Sequence, residues 1–130
     1  MNRDNMYTVA VIKKFTAHHF LVGGDWGEEN KIHSHRYQLE LQVHGKKLNQ
    51  HGYLIDIVQI ESQLDLVLDY FRDKTLNGLI EFKGLNPSIE NFSHIICMKL
   101  ISNISIENLN SITVKLWENE VAWASFKKEL

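Results

Sequence analysis

His33-Ser34-His35-Arg36-Tyr37-Gln38-Leu39-Glu40-Leu41-Gln42-Val43-His44 is the most strictly alternating stretch of this chain. Tyr37, Leu39, Leu41 and Val43 share one phase of a two-residue period; Arg36, Gln38, Glu40 and Gln42 share the other. Successive side chains of a β-strand point to opposite faces, so residues 33–44 read as a strand with one apolar and one solvated face. Such half-covered strands belong to antiparallel sheets that rest on a core by one side only. The polar run from Gly45 to Gly52 ends the strand.

Upstream, residues 7–20 read as a second strand. Tyr7, Val9, Val11, Phe15, Ala17 and His19 fall in one phase, with Lys13 as the exception. Between the two strands, Gly23-Gly24-Asp25-Trp26-Gly27-Glu28-Glu29-Asn30 is too long for a tight hairpin, and loops of that length are usually functional or disordered. Downstream, Asp56 is a suitable N-cap with Gln59 three residues on, in the manner of a capping box. The helix behind it carries Ile60, Leu64, Val67, Leu68 and Phe71 on one stripe. A second helix opens at Asn86-Pro87-Ser88, with Pro87 suited to the first helical position and Ile89, Phe92, Ile96 and Leu100 as its stripe. Two strands close the chain, one with Ile112, Val114, Leu116 and Glu118 in phase, the other with Ala122, Ala124 and Phe126. The order ββααββ predicts an α+β domain, a four-stranded antiparallel sheet with two helices on one face.

At 130 residues, a single domain over 1–130 is expected, with no repeat, low-complexity tract or linker to divide it. A hydrophobic share of 44% beside 23% charged residues is ordinary for a globular protein. The net charge of -2 provides no basic face for nucleic acid or an anionic membrane, so a small-molecule partner is expected. The lone Cys97 excludes an intramolecular disulfide and sits in the apolar run His94-Ile95-Ile96-Cys97-Met98, where it reads as a core filler. No apolar run approaches the roughly 20 residues of a membrane span, and Met1-Asn2-Arg3-Asp4-Asn5 lacks the apolar stretch of a signal peptide. A cytoplasmic protein is the expectation.

The histidines carry the chemistry. On a strand, His33 and His35 point to the same side, in phase with Tyr37 and Leu39, so both imidazoles can reach one ion. His19 is in phase with Phe15 and Ala17 near the end of the preceding strand. If the two strands pair as an antiparallel hairpin, the end of one meets the start of the other and three imidazoles converge. Three histidines with an open fourth position is the donor set of a catalytic zinc. The alternative is three ordinary half-buried histidines satisfied by hydrogen bonds. His18, His44, His51 and His94 read as surface residues. Glu118, in the apolar phase of its strand, is either at a strand end in water or held against a ligand that donates hydrogen bonds to it.

Several segments together resemble the 6-pyruvoyl-tetrahydropterin synthase and 6-carboxytetrahydropterin synthase family. Phe15-Thr16-Ala17-His18-His19 is similar to the family's F-x-A-x-H strand, and His33-Ser34-His35-Arg36-Tyr37 to its H-G-H-x-Y. Gly52-Tyr53-Leu54-Ile55-Asp56-Ile57 resembles G-x-x-x-D-F at the first helix, and Asn86-Pro87-Ser88-Ile89-Glu90-Asn91 resembles N-P-T-x-E-N at the second. Trp117-Glu118-Asn119, followed by Phe126, is similar to the terminal W-E-T strand and its aromatic partner. The resemblance implies the tunnelling fold and assembly into an oligomeric barrel, usually a homohexamer. It implies Zn2+ on His19, His33 and His35, and a pterin whose 2-amino-pyrimidinone edge is anchored by Glu118. A carboxylate can accept two parallel N–H hydrogen bonds from that edge.

Two positions depart from the family pattern. Glu29 stands where active members carry a cysteine base, and Phe71-Arg72-Asp73-Lys74-Thr75-Leu76-Asn77 places Arg72 and Asp73 where an Asp-His pair would be. The usual Cys-Asp-His relay is therefore absent. A branch of the family has Glu in the cysteine position and cleaves the dihydroneopterin side chain, which makes Glu29 the expected proton acceptor and Glu28 its neighbouring alternative. Asp73 could be a second carboxylate, weakened as a base by the cations on either side. Glu28 and Glu29 read equally as a solvated acidic loop. The expected function is a zinc-dependent lyase or synthase acting on the side chain of dihydroneopterin or its triphosphate. The alternatives are a non-catalytic or repurposed pterin- or purine-binding zinc protein, and a structural zinc domain in an assembly.

Overall fold

A computed structural model describes residues 5–105 and 107–130. Residues 1–4, on which the reading of the leader partly rests, lie outside that range. Two long strands, β1 (Tyr7–His19) and β2 (His33–Gly45), are followed by helices α1 (Ile57–Phe71) and α2 (Ile89–Ile101) and by strands β3 (Ser111–Trp117) and β4 (Trp123–Glu129). The four strands form one sheet in the order β1-β2-β3-β4, every pair antiparallel. This is the ββααββ arrangement expected from the sequence. No helix among the described residues is long and apolar enough to cross a membrane.

The alternation in β2 fixes which face carries the helices. Tyr37, Leu39, Leu41 and Val43 are fully buried, as are Ile112, Val114 and Leu116 beside them on β3. The α1 stripe of Ile60, Leu64, Val67, Leu68 and Phe71 is buried throughout and closes the core from above. Lys13, the charged exception on β1, is half-buried because α1 presents it with two carboxylates, Glu61 Oε2 at 3.3 Å and Asp65 Oδ1 at 3.6 Å.

Asp56 caps α1 as expected, its side chain accepting from the Val58 N–H at 3.0 Å. The start of α2 differs from the sequence reading. Ser88, not Pro87, stands at the boundary: its side chain is the N-cap and accepts from Asn91 N–H at 3.1 Å. Pro87 lies just outside the helix, which leaves its carbonyl free to accept from elsewhere. Cys97 is fully buried, and burial pushes its thiol up to about 11, against a smaller opposing effect of the Lys128 charge. It is a packing residue.

Residues 72–88, which belong to neither helix, are ordered by two 3₁₀ turns, Leu76–Gly78 and Ile80–Phe82, that bury Leu76 and Phe82. The segment clamps the end of β1. Asn77 donates to Phe20 O at 2.9 Å and accepts from Phe20 N at 3.0 Å, while Asn86 accepts from Val22 N at 2.9 Å. Two asparagine amides thus supply the pairing that a neighbouring strand would give, and hold the chain straight through His19.

Candidate metal centre

The register of the β1–β2 hairpin assembles the site. His19 is directly opposite His33, Ala17 opposite His35 and Phe15 opposite Tyr37. Cross-strand partners on one face have Cβ atoms about 5 Å apart, so three imidazoles at these positions must meet. Ring centroids are 4.6 Å apart for His19 and His33, 4.8 Å for His19 and His35, and 4.8 Å for His33 and His35. One nitrogen from each ring lies within 4.8 Å of the others. The floor is aromatic: Phe15 stacks on Tyr37 at 5.3 Å and Phe92 of α2 meets Tyr37 edge-on at 5.2 Å.

The outer nitrogens fix the tautomers. His19 Nδ1 lies 3.0 Å from Pro87 O, and His33 Nδ1 lies 2.7 Å from Lys31 O. A carbonyl only accepts, so both Nδ1 atoms carry the proton and both Nε2 atoms hold a lone pair. Yet His19 Nε2 and His33 Nε2 face each other at 3.0 Å. Burial, followed by the His35 and His33 charges, lowers the His19 pKa to about 4, so the His19 ring is neutral near pH 7. Two nitrogens opposed in this way suit a cation.

Tetrahedral zinc with Zn–N bonds of about 2.0–2.1 Å separates its ligand nitrogens by about 3.3 Å, close to the spacing here. His35 Nε2 completes the set. It is buried without a hydrogen-bond partner, since the nearest acceptor, Glu118 Oε1 at 3.3 Å, is out of alignment. Burial lowers the His35 pKa, partly countered by the Glu118 charge. Three converging imidazoles, two of them with their outer N–H groups tied back to backbone carbonyls, are suited to a divalent cation. The residues fit zinc.

The family model described as 6-pyruvoyl tetrahydropterin synthase matches residues 8–129, nearly the whole chain. The chain belongs to the 6-pyruvoyl tetrahydropterin synthase family. An Archaeoglobus fulgidus protein named "Putative 6-carboxy-5,6,7,8-tetrahydropterin synthase" is 27% identical over 120 residues, covering 92% of this chain and 95% of that one. Among solved structures, the Caenorhabditis elegans 6-pyruvoyl tetrahydropterin synthase superposes with a TM-score of 0.81 at 22% identity, covering 99% of this chain and 100% of that one. A Plasmodium vivax 6-pyruvoyltetrahydropterin synthase, in which a glutamate described as a catalytic residue is replaced by alanine, gives 0.81 at 16% identity, covering 98% and 100%. The architecture is the tunnelling fold of these synthases.

The carboxylates read as candidate proton acceptors fall in different places. Glu29 is in a short 3₁₀ turn, Gly27–Asn30, entered through Gly27 at φ +63° and closed by Asn30, whose amide bridges Leu21 O, Gly24 O and Trp26 N. Its charge acts on His35. Glu28 instead pairs with Lys31 at 3.4 Å and is almost fully exposed. Asp73 is not brought to the triad of its own chain. It adopts a left-handed backbone (φ 59°), donates its N–H to Thr16 O at 2.7 Å at the edge of β1, and lines a groove with Lys14, Thr16, Arg36 and Arg72. Sequence reading missed Tyr37 Oη, 3.3 Å from His19 Nδ1, and the carbonyls of Pro87 and Lys31. H-x-H-x-Y could have signalled the phenol; nothing in side-chain identity signals the carbonyls.

Proposed function

We propose that this chain is a zinc-dependent pterin-processing enzyme, a lyase or synthase acting on the side chain of dihydroneopterin or its triphosphate. His19, His33 and His35 hold the metal through their Nε2 atoms. The observation that carries the proposal is the approach of His19 Nε2 to His33 Nε2 at 3.0 Å, beside a carboxylate, Glu118, 3.3 Å from the third ring. Zinc bound there supplies a Lewis acid that polarises the side-chain oxygens of the substrate. Glu118 accepts two N–H hydrogen bonds from the 2-amino-pyrimidinone edge and so sets the register of the pterin. Glu29 takes the side-chain proton, standing in for the absent cysteine; that a glutamate is described as a catalytic residue of the Plasmodium vivax enzyme is a chemical precedent. Asp73, whose N–H covers the β1 edge at Thr16, would serve the triad of an adjoining copy rather than its own.

The same reading takes residues 1–130 as one domain, active in the cytoplasm as a homohexamer built from barrels of joined sheets. Its test is product analysis by mass spectrometry with dihydroneopterin and its triphosphate. Glu29→Gln should keep zinc and pterin binding while turnover falls by about 10²–10⁴-fold, the usual contribution of a general base. Full turnover by that variant would remove Glu29 from the mechanism. Tight pterin binding by the unaltered chain with no product would leave a binding protein in place of the enzyme.

A further inference from the structure

The face of the sheet turned away from the helices holds a second group of chemically active side chains. Across it, Lys14 of β1, Gln38 of β2 and Trp117 of β3 stand in one row, and Arg36 is the diagonal neighbour of Lys14. With Asn119 and Glu120 of the β3–β4 turn they line a groove of about 390 Å³. That volume is within the range of small-ligand sites. It lies on the opposite side of the sheet from the histidines, because Arg36 alternates with His35 and Tyr37.

The groove's cations lack carboxylate partners, as do Lys46, Lys47, Lys74, Lys83, Lys115 and Lys128 among the described residues; what is particular here is that two of them share a groove. Lys13, Lys31, Arg72, Lys99 and Lys127 each pair with a carboxylate. Lys14 and Arg36, side by side and exposed, pair with none among the described residues. Like charges adjacent on one sheet face are unfavourable, and an anion between them relieves the repulsion. A guanidinium beside an ammonium is suited to phosphate oxygens, the first as a fork and the second as a point charge. The half-buried Trp117 indole, steadied by Trp123 at 6.5 Å and Lys115 Nζ at 4.7 Å, adds a flat apolar wall. Asn119 holds the turn through its Oδ1, accepting from Val121 N and Ala122 N at 2.9 Å, and its NH₂ has no partner among the described residues. That donor and the Glu120 carboxylate can meet the polar edge of a heterocycle.

We propose that this groove binds a phosphate-bearing heteroaromatic ligand, with its phosphates against Lys14 and Arg36 and its ring against Trp117. The test is calorimetric titration of the zinc-loaded chain with adenosine triphosphate, whose base lacks the 2-amino-pyrimidinone edge that Glu118 would bind, at low salt, since exposed charges act most strongly there. The double variant Lys14→Gln, Arg36→Gln should bind at least tenfold more weakly at unchanged zinc content and circular dichroism. Tripolyphosphate alone should bind more weakly than the nucleotide. Glu118→Gln should bind the nucleotide as the unaltered chain does. The proposal is overturned if the double variant binds equally well, if tripolyphosphate matches the nucleotide, or if neither ligand binds at millimolar concentration. Weakening by Glu118→Gln would also overturn it by placing the nucleotide in the pterin cleft. None of these outcomes depends on turnover of dihydroneopterin.

Discussion

At the scale of single residues, function rests on which polar atoms are left without protein partners. His35 Nε2 is buried and unpartnered, and Glu118, whose side chain is 24% exposed, approaches it without satisfying it. A carboxylate kept at such a place needs hydrogen-bond donors from a ligand. Glu118→Gln should therefore weaken pterin binding by about 1.5–3 kcal/mol, the range for hydrogen bonds to a charged group, with zinc content unchanged. Calorimetry with a non-reactive pterin checks this, and unchanged affinity would remove Glu118 from the binding site. The convergence of His19, His33 and His35 was legible, because the three share a face by phase and meet once the strands pair. The atoms that orient them were not. Pro87 O and Lys31 O belong to the backbone, and their positions depend on where a helix begins and how a loop turns.

At the scale of elements, alternation and stripes were sufficient wherever one face met the core. All four strands and both helices follow from periods of two and 3.6, including the burial of Leu64 and Leu68 on α1. Two kinds of detail escaped. Pro87 reads as a first helical residue, but Ser88 takes the cap because its hydroxyl reaches the Asn91 N–H. Residues 72–88, which belong to neither helix, take their order from asparagine amides and short turns. The same segment is tied to both helices by Glu81, which accepts from Tyr70 Oη and pairs with Lys99 Nζ, each at 2.8 Å. Burial pushes the Glu81 carboxyl up, yet hydrogen bonds from Lys99 and Tyr70 and the ammonium charge outweigh it and hold it below 4.5. A depressed carboxyl contributes stability above its unfolded pKa and loses it as pH falls through the folded value. Glu81→Gln should therefore cost under about 1 kcal/mol at pH 7, given the partial exposure, and less at about pH 4, below the ordinary carboxyl pKa. Urea denaturation at both pH values checks the convergence; a constant difference would contradict it.

At the scale of the molecule, the sheet has two edges to manage. At its far end β1 is covered, through His18 N–Lys74 O at 2.9 Å and Asp73 N–Thr16 O at 2.7 Å. Residues 7–15 of β1 and the outer side of β4 are not paired in this way, and Tyr7, Ile12 and Trp123 are each about half exposed there. Open edges of this kind invite strand addition, and joining β4 of one copy to β1 of the next closes a barrel without leaving an edge. Sedimentation should find a mass six times the 15.2 kDa of the chain; a 15.2 kDa species at micromolar concentration would contradict assembly. What the whole fold does for the chemistry is narrower: it brings the end of β1 against the start of β2, with α2 setting Pro87 O behind His19. X-ray absorption at the zinc edge tests that most directly. One zinc per chain with three imidazole nitrogens at about 2.0–2.1 Å is expected, and the signal should vanish in His33→Ala. Sulfur in the shell, or equal zinc in the variant, would contradict it.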